Sequence, residues 1–462
     1  METTKRAVVI GASMAGLLAA RALTETYAEV IIVDRDILPD EPMNRRGVPQ
    51  GKHLHGLLAR GLTVLKELFP GFEEEMVAAG AVQADIQSGI HWYIDGHLLK
   101  PDPSGLIGIS SSRPLLEFMV RRRVTRLPGV QIIDNTDVLN LTTTDDRRQV
   151  TGVGIMSRVD GAAAATIDAD LVVDASGRGS RTPIWLAEMG YRAAPEVTMT
   201  VDTTYVTRLY RRQPGDFDDR PGTSIGGYPG SPSSGTLFAI ENDLFIFTTG
   251  GIFGQQVPMD DEGLLEFTKA LPSSVYADFL PTATRMSEPI KTRYPASVRR
   301  HYEKLKDFPA GYLVVGDAIC SYNPVYGQGM SVAALEALAL RDLLKGGTKN
   351  LARRFFRAAA KPVGTAWTIA SGADMRFPDS KITPPLSARM VNRYLSRVYR
   401  VAANDATVAA AFLRVLNLMD TPDRLFAPAV LKRVLRSTQR PGPAPKQQTV
   451  ADSETVMAPR ER

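Results

Sequence analysis

Lys5-Arg6-Ala7-Val8-Val9-Ile10-Gly11-Ala12-Ser13-Met14-Ala15-Gly16, closed by Ile31-Ile32-Val33-Asp34-Arg35, is the stretch whose reading decides the fold. Val8 to Ile10 is a short all-apolar strand, as expected at the centre of a parallel sheet covered on both faces. Leu17 to Thr26 has a helical pattern and Glu29 to Val33 supplies a second strand, giving a βαβ start. The turn Gly11-x-Ser13-x-x-Gly16 lets backbone N–H groups approach a pyrophosphate, whose charge is favoured at the helix N-terminus. Its middle position is Ser rather than Gly, but Ser is small and its hydroxyl can itself donate to phosphate. Asp34 lies 18 residues past Gly16 at the end of the second strand, where a carboxylate accepts from ribose hydroxyls and repels a 2′-phosphate. The bland alternative is a glycine turn in a βαβ unit that holds no nucleotide.

A second fragment some 300 residues downstream argues against that alternative. Tyr312-Leu313-Val314-Val315-Gly316-Asp317-Ala318 is followed by Asn323-Pro324-Val325-Tyr326-Gly327-Gln328-Gly329-Met330-Ser331. Asp317 ends an apolar strand, where a carboxylate can bind the hydroxyls of a ribityl chain. Gly327 and Gly329 allow the backbone to pass close to a flat ring. A helix from Met330 would turn its N-terminus toward the ring edge that carries negative charge when reduced, worth about 0.3–2 kcal/mol. The first fragment suits FAD or NAD rather than NADP, and the two together point to bound FAD.

The rest of the chain is consistent with an ordinary globular protein. It has 462 residues, 44% apolar and 23% charged, and is expected to form two or three structural units. The net charge of +5 is mild and the basic residues are scattered, with no basic stripe interleaved with aromatics, so nucleic acid is not an expected partner. The densest run, Arg121-Arg122-Arg123, reads as the solvated face of a helix. A single cysteine, Cys320, rules out an intramolecular disulfide and a thiolate metal cluster, and the five histidines offer no metal-ligand pair on one helix face. Cys320 reads as a small buried thiol, and Trp92, Trp185 and Trp367 as ordinary packing. No run of about 18 apolar residues could span a membrane, and the cytoplasm is the default location.

Asp95-Gly96 between apolar runs predicts a tight hairpin. From about Met199 the texture turns to β-branched and aromatic residues, the pattern of an antiparallel sheet with one face open to a ligand. The expected architecture is α/β. A Rossmann-like FAD-binding domain is assembled from residues 1–80, 113–190 and 285–348. A substrate-side hairpin occupies 81–112, and an inserted antiparallel-sheet substrate domain occupies 191–284. A C-terminal helical region (349–436) and a tail (437–462) too polar to build a core complete the chain.

Gly316-Asp317-Ala318 with Asn323 to Ser331 resembles the second flavin fingerprint of aromatic-hydroxylase-type FAD monooxygenases. Arg45-Arg46-Gly47-Val48-Pro49-Gln50 with His53 and His55, Asp170 to Ser180, and Tyr205-Val206-Thr207-Arg208 resemble bacterial flavin epoxidases of polyether biosynthesis, those of the lasalocid and monensin pathways. The likeness runs from residue 6 to about 380. It implies that Arg46 and Arg113 contact FAD and that the backbone near Val138 packs against adenine. With the glycine turn (Gly11, Ala12, Ser13, Met14, Ala15, Gly16), Asp34, Arg35, Asp317, Pro324, Gly327, Gly329 and Met330, these form the candidate cofactor site. Tyr205 and Arg208 are candidate substrate contacts, while His53 and His55 read as structural. Aromatic hydroxylases carry Asp-Gly where this chain has Ser176-Gly177, which leaves open how NADH or NADPH is recognised and whether a partner flavin reductase delivers the electrons.

The activity that the resemblance implies is transfer of one oxygen atom of O2, through a flavin C4a-hydroperoxide, to a lipophilic small molecule. For an alkene of a polyketide or terpenoid this is epoxidation; for a phenol it is ring hydroxylation. No nucleophilic triad is present, and the flavin carries the chemistry. A flavin dehydrogenase or saturase without oxygen transfer is the alternative. A halogenase is disfavoured because no Trp-x-Trp-x-Ile-Pro segment occurs, and a non-enzymatic flavin carrier has little to recommend it.

Overall fold

The computed structural model describes residues 5–436, so the tail expected at 437–462 lies outside the described residues. The chain opens with β1 (Arg6–Ile10), α1 (Met14–Leu23) and β2 (Glu29–Val33). It continues through β3 (Ile90–Ile94), β4 (His97–Leu98), α2 (Arg113–Thr125), β5 (Val130–Ile133) and β6 (Leu171–Asp174). The hairpin between β3 and β4 turns through Asp95 at φ 53° and Gly96 at φ 77°, the two left-handed residues that a tight hairpin turn of this kind demands. Four strands follow: β7 (Glu196–Arg211), β8 (Gly222–Ile225), β9 (Ser233–Ile240) and β10 (Leu244–Gly251). Then come β11 (Ile290–Arg300), β12 (Tyr312–Val314), α3 (Gly329–Leu344), α4 (Leu351–Asp374) and α5 (Leu386–Ala402).

Two main sheets organise the molecule, beside two three-stranded ones among the described residues. The first is wholly parallel, in the order β12-β6-β1-β2-β5, with α1 and α3 packed against each other beside it. Ala7 to Ile10 and Val30 to Val33 are buried, as strands covered on both faces require. The second has eight strands, running from Cys320–Ser321 through β11, β7, β10, β9, β8 and β3 to β4. Its pairings are antiparallel except for β8 with β3, which joins the early hairpin to the later strands. The mixed α/β architecture is the one expected. The large sheet, however, runs on to Arg300 through β11, past the boundary anticipated at 284, because β11 pairs with β7 along almost its whole length.

The two faces of the large sheet differ in kind. Its back face carries Tyr210, Phe245, Phe247, Leu237 and Ile225, covered by helices at Asp261–Lys269 and Val275–Phe279. Its front face meets the segment His53–Gly56 of the nucleotide unit. C-terminal helices α4 and α5 and their neighbours pack on the hairpin residues Trp92 and Ile94 and tie the two units together. The basic run at Arg121 to Arg123 departs from the solvated reading. Arg121 is buried and donates to the Pro39 carbonyl, and Arg123 pairs with Glu75 and caps the Pro70 carbonyl.

Candidate functional site

Gly11 sits at φ +103° at the end of β1, where an added Cβ would lie 2.7 Å from the Ala175 carbonyl oxygen. A Cβ on Gly16 would overlap the Gly11 carbonyl itself, so both glycines are needed for α1 to lie against the turn. The helix has no side-chain N-cap and no acid in its first turn, which leaves its N-terminal amides open to an anion. Ser13 is occupied otherwise than expected. Its hydroxyl donates to Glu117 at 3.1 Å and accepts from Arg113 at 2.8 Å, fastening the turn to α2.

Asp34 is buried at the end of β2. It accepts from the Ala12 amide at 2.6 Å and the Asp36 amide at 2.9 Å, and pairs with Arg45 at 3.3 Å. Arg45 also pairs with Asp36 at 2.9 Å and with Glu117 at 2.7 Å. Burial alone would raise the Glu117 carboxyl, but Arg113 and Arg45 override it and hold it below the usual range. Arg45 was read only as part of a resemblance, whereas its neighbour Arg46, like Arg35, is exposed. Glu117 was missed, although its place four residues after Arg113 on one helix face was a signal for pairing.

Arg113 joins the two distant fragments. It is 5% exposed, bonds Ser13 and Glu117, and directs its other terminal nitrogen at the Met330 sulfur, 2.7 Å away, on α3. A thioether is a weak acceptor for a guanidinium. The Nε of Arg113 and an Nη of Arg45 are buried with no partner among the described residues. Buried cationic donors without acceptors carry a full desolvation cost, which a phosphate or carbonyl oxygen of a ligand would relieve.

Gly316, at φ +66°, brings the second fragment onto the first, because a Cβ there would meet that of Ala15 at 2.6 Å. Asp317 follows, and its carboxylate makes no hydrogen bond among the described residues. Burial raises its pKa against the opposing charges of Arg178 and Arg113. Pro324 is exposed at the start of a short turn ending at Gly327, φ +63°. Beyond it, Gln328 is buried with both amide atoms unpartnered among the described residues, as is the Ser331 hydroxyl. Cys320 is buried, and Val138 is half-buried on the strand Thr136–Thr143.

On the front face of the large sheet, His53 is buried with Nδ1 2.8 Å from Thr207 Oγ1 and Nε2 2.7 Å from Thr292 Oγ1. Tyr205 meets the His53 ring edge-on at 4.5 Å. Arg208 is elsewhere. Three positions along a strand is an odd number, so its side chain leaves the opposite face, where it pairs with Asp261 and caps the Met259 carbonyl. Arg208 therefore leaves the face on which Tyr205 meets the nucleotide unit, contrary to its reading beside Tyr205 as a substrate contact.

This architecture, with a glycine turn, a buried acid at the end of β2 and a second glycine loop opposite, is a fold shared with solved structures. A "flavoprotein/dehydrogenase" from Cytophaga hutchinsonii superposes with a TM-score of 0.65 at 16% identity, covering 93% of this chain and 96% of that one. The p-nitrophenol 4-monooxygenase PnpA of Pseudomonas putida DLL-E4 superposes with a TM-score of 0.63 at 16% identity, covering 90% and 99%. No family model matches. The chain is 34% identical over 432 residues, 90% of each protein, to Protein Rv3254 of Mycobacterium tuberculosis, and it belongs to the same family. Among the described residues no helix is long and apolar enough to cross a membrane.

Proposed function

We propose that this chain is an FAD-dependent monooxygenase acting on a lipophilic biosynthetic intermediate. Epoxidation of a polyketide or terpenoid alkene is the reaction we favour over hydroxylation of an aromatic ring. One observation carries the cofactor assignment. Arg113 brings the Gly11–Gly16 turn and Met330 together, yet it and Arg45 retain buried donors with no acceptor. An uncapped helix start, a carboxylate without a partner at Asp317 and a glycine loop lie around them. The donor set fits a dinucleotide. Helix α1 and Arg113 would take the pyrophosphate, Asp34 the adenosine ribose, Asp317 the ribityl hydroxyls, and Gly327 to Met330 the ring. FAD, when bound, supplies the reduction of O2 and the transfer of one of its atoms. The chain's own part is to bind and orient the substrate and exclude water with the front face of the large sheet. NADH or NADPH supplies electrons, directly or through a partner flavin reductase.

A dehydrogenase or saturase is the second reading, since one structural neighbour is described as a dehydrogenase. The purified protein is expected to be yellow with FAD that acid releases, and Asp317→Ala to lose flavin on dilution. Incubation with a reductant, a candidate alkene and 18O2 separates the readings by mass spectrometry. One labelled atom per product supports the monooxygenase; a desaturated product without added oxygen, or label from water, overturns it.

A further inference from the structure

The front face of the large sheet is striped, and the stripes select a kind of substrate. Thr207, Thr248, Thr236 and Ser224 stand in register on the adjacent strands β7, β10, β9 and β8. Their hydroxyls join in two pairs, Thr207 with Thr248 at 2.6 Å and Thr236 with Ser224 at 2.9 Å. No bond links the two pairs, although Thr248 and Thr236 are direct cross-strand neighbours. Each hydroxyl offers one donor and two acceptor sites, so Thr248, Thr236 and Ser224, all half-buried, keep capacity for a ligand. Beside this row runs an apolar one, Leu209, Ile246 and Phe238, packed with Leu54 and Ile90.

The row has two distinct ends. At one end His53 bonds Thr207, the Leu54 amide donates to Thr248 at 3.4 Å, and Gly56 lies near Gly327 of the second fragment. At the other, Ser224 pairs in register with Trp92 beneath the C-terminal helices. Tyr205 stands on the same face two residues from Thr207 and meets the His53 ring edge-on.

The geometry points to an elongated, oxygen-bearing substrate that lies across the strands, its oxygens on Thr248, Thr236 and Ser224. This inference rests on the monooxygenase reading for the position of the reacting end, beside Gly327. Thr248 and Thr236, one from each pair, stand on neighbouring strands about 4.8 Å apart, close to the separation of oxygens on carbons 1 and 5 of an extended chain. A pure hydrocarbon polyene would leave the row's spare hydrogen-bonding capacity unused and gain nothing from it.

The test compares 1,5-dodecanediol with 1-dodecanol on the purified holoprotein, reading tryptophan fluorescence, which Trp92 reports from the end of the row. The wild type is expected to bind the diol about tenfold more tightly, the net worth of one added hydrogen bond. Thr236→Val should abolish that preference and leave 1-dodecanol affinity unchanged, while Thr236→Ser should retain it. Ser224→Ala provides a second probe of the row should Thr236→Val misfold. Equal affinity for both probes in the wild type, binding of neither, or an equal loss of both in the valine variant overturns the inference. Because the readout is binding, a failure here leaves FAD content and 18O incorporation standing as separate tests of the activity.

Discussion

Burial keeps His53 and His55 neutral, pushing each from 6.5 to about 4. The unfolded chain takes up these protons near pH 6.5 and the folded chain only near pH 4. Their contribution to stability is therefore whole above pH 6.5 and is lost as pH falls toward 4. Glu336 has the opposite slope. It accepts from the Gly316 amide at 2.6 Å, and burial, with the Asp317 charge, raises its carboxyl from 4.5 to about 8. The folded chain holds that proton after the unfolded chain has released it, so its contribution is full below pH 4.5 and is lost as pH rises through 8. Glu336→Gln keeps an acceptor for Gly316 and removes the titration. Between pH 6 and 8.5 the wild-type Tm is expected to fall by about 2–4 °C more than that of the variant. Parallel profiles would mean that Glu336 is already ionised at neutrality.

Among the elements, α1 depends on Gly16 more than on Ser13. Gly16→Ala places a methyl in the Gly11 carbonyl and is expected to cost more than about 3 kcal/mol, a cost of the kind seen for severe steric conflict. Ser13→Ala removes bonds to Glu117 and Arg113 and is expected to cost about 1–2 kcal/mol. Urea unfolding of the two apoproteins measures both, and equal losses would remove the close helix–turn approach from the account. Elements of this local kind were legible in the sequence. β2 begins at Glu29 and ends at Val33, and the hairpin turns at Asp95-Gly96, because apolar runs and left-handed turn residues act over a few neighbours. Long-range pairing was not legible in the same way. Nothing in Ile90 to Ile94 announces a parallel partner at Gly222 to Ile225, and nothing around residue 284 announces that β11 stays with β7. The face of Arg208 relative to Tyr205 was available from strand period alone, but its partner Asp261 lies on a helix that only the fold brings near. The burial of Arg45 in place of Arg46 likewise depends on Asp34 and Asp36 after β2 meeting Glu117 from α2.

At the scale of the molecule, Asp374 is where the units meet. It is 1% exposed, accepts from Asn323 at 3.1 Å and from the Tyr326 hydroxyl at 2.7 Å, and burial raises its carboxyl to about 6. Asn323 in turn accepts from Thr203 of the large sheet at 3.3 Å. Arg376 pairs with Asp95 at 2.6 Å, and Phe377 meets Phe253 nearby. Asp374→Ala leaves two buried donors without acceptors and is expected to cost about 2–4 kcal/mol. Flavin release after dilution should also quicken, because the Asn323–Gly329 loop loses its anchor. A normal release rate with lowered Tm would confine Asp374 to stability. Asp374→Asn, which keeps one acceptor, is expected to fall between.

The strand order β12-β6-β1-β2-β5 has a consequence for how the protein is made. Its central strand leaves the ribosome first, yet its partner β6 begins at Leu171 and the edge strand β12 only at Tyr312. From Gly11 to Met330 translation takes about 15–60 s at ordinary elongation rates. Throughout that interval the nascent glycine turn has no opposite wall, although the Arg45 and Arg113 network from Ser13 to Glu117 is already synthesised. On the proposed function, capture of a dinucleotide that spans both fragments therefore comes late in folding rather than as a seed for it. A cell short of flavin would accumulate finished but empty chains, not truncated ones.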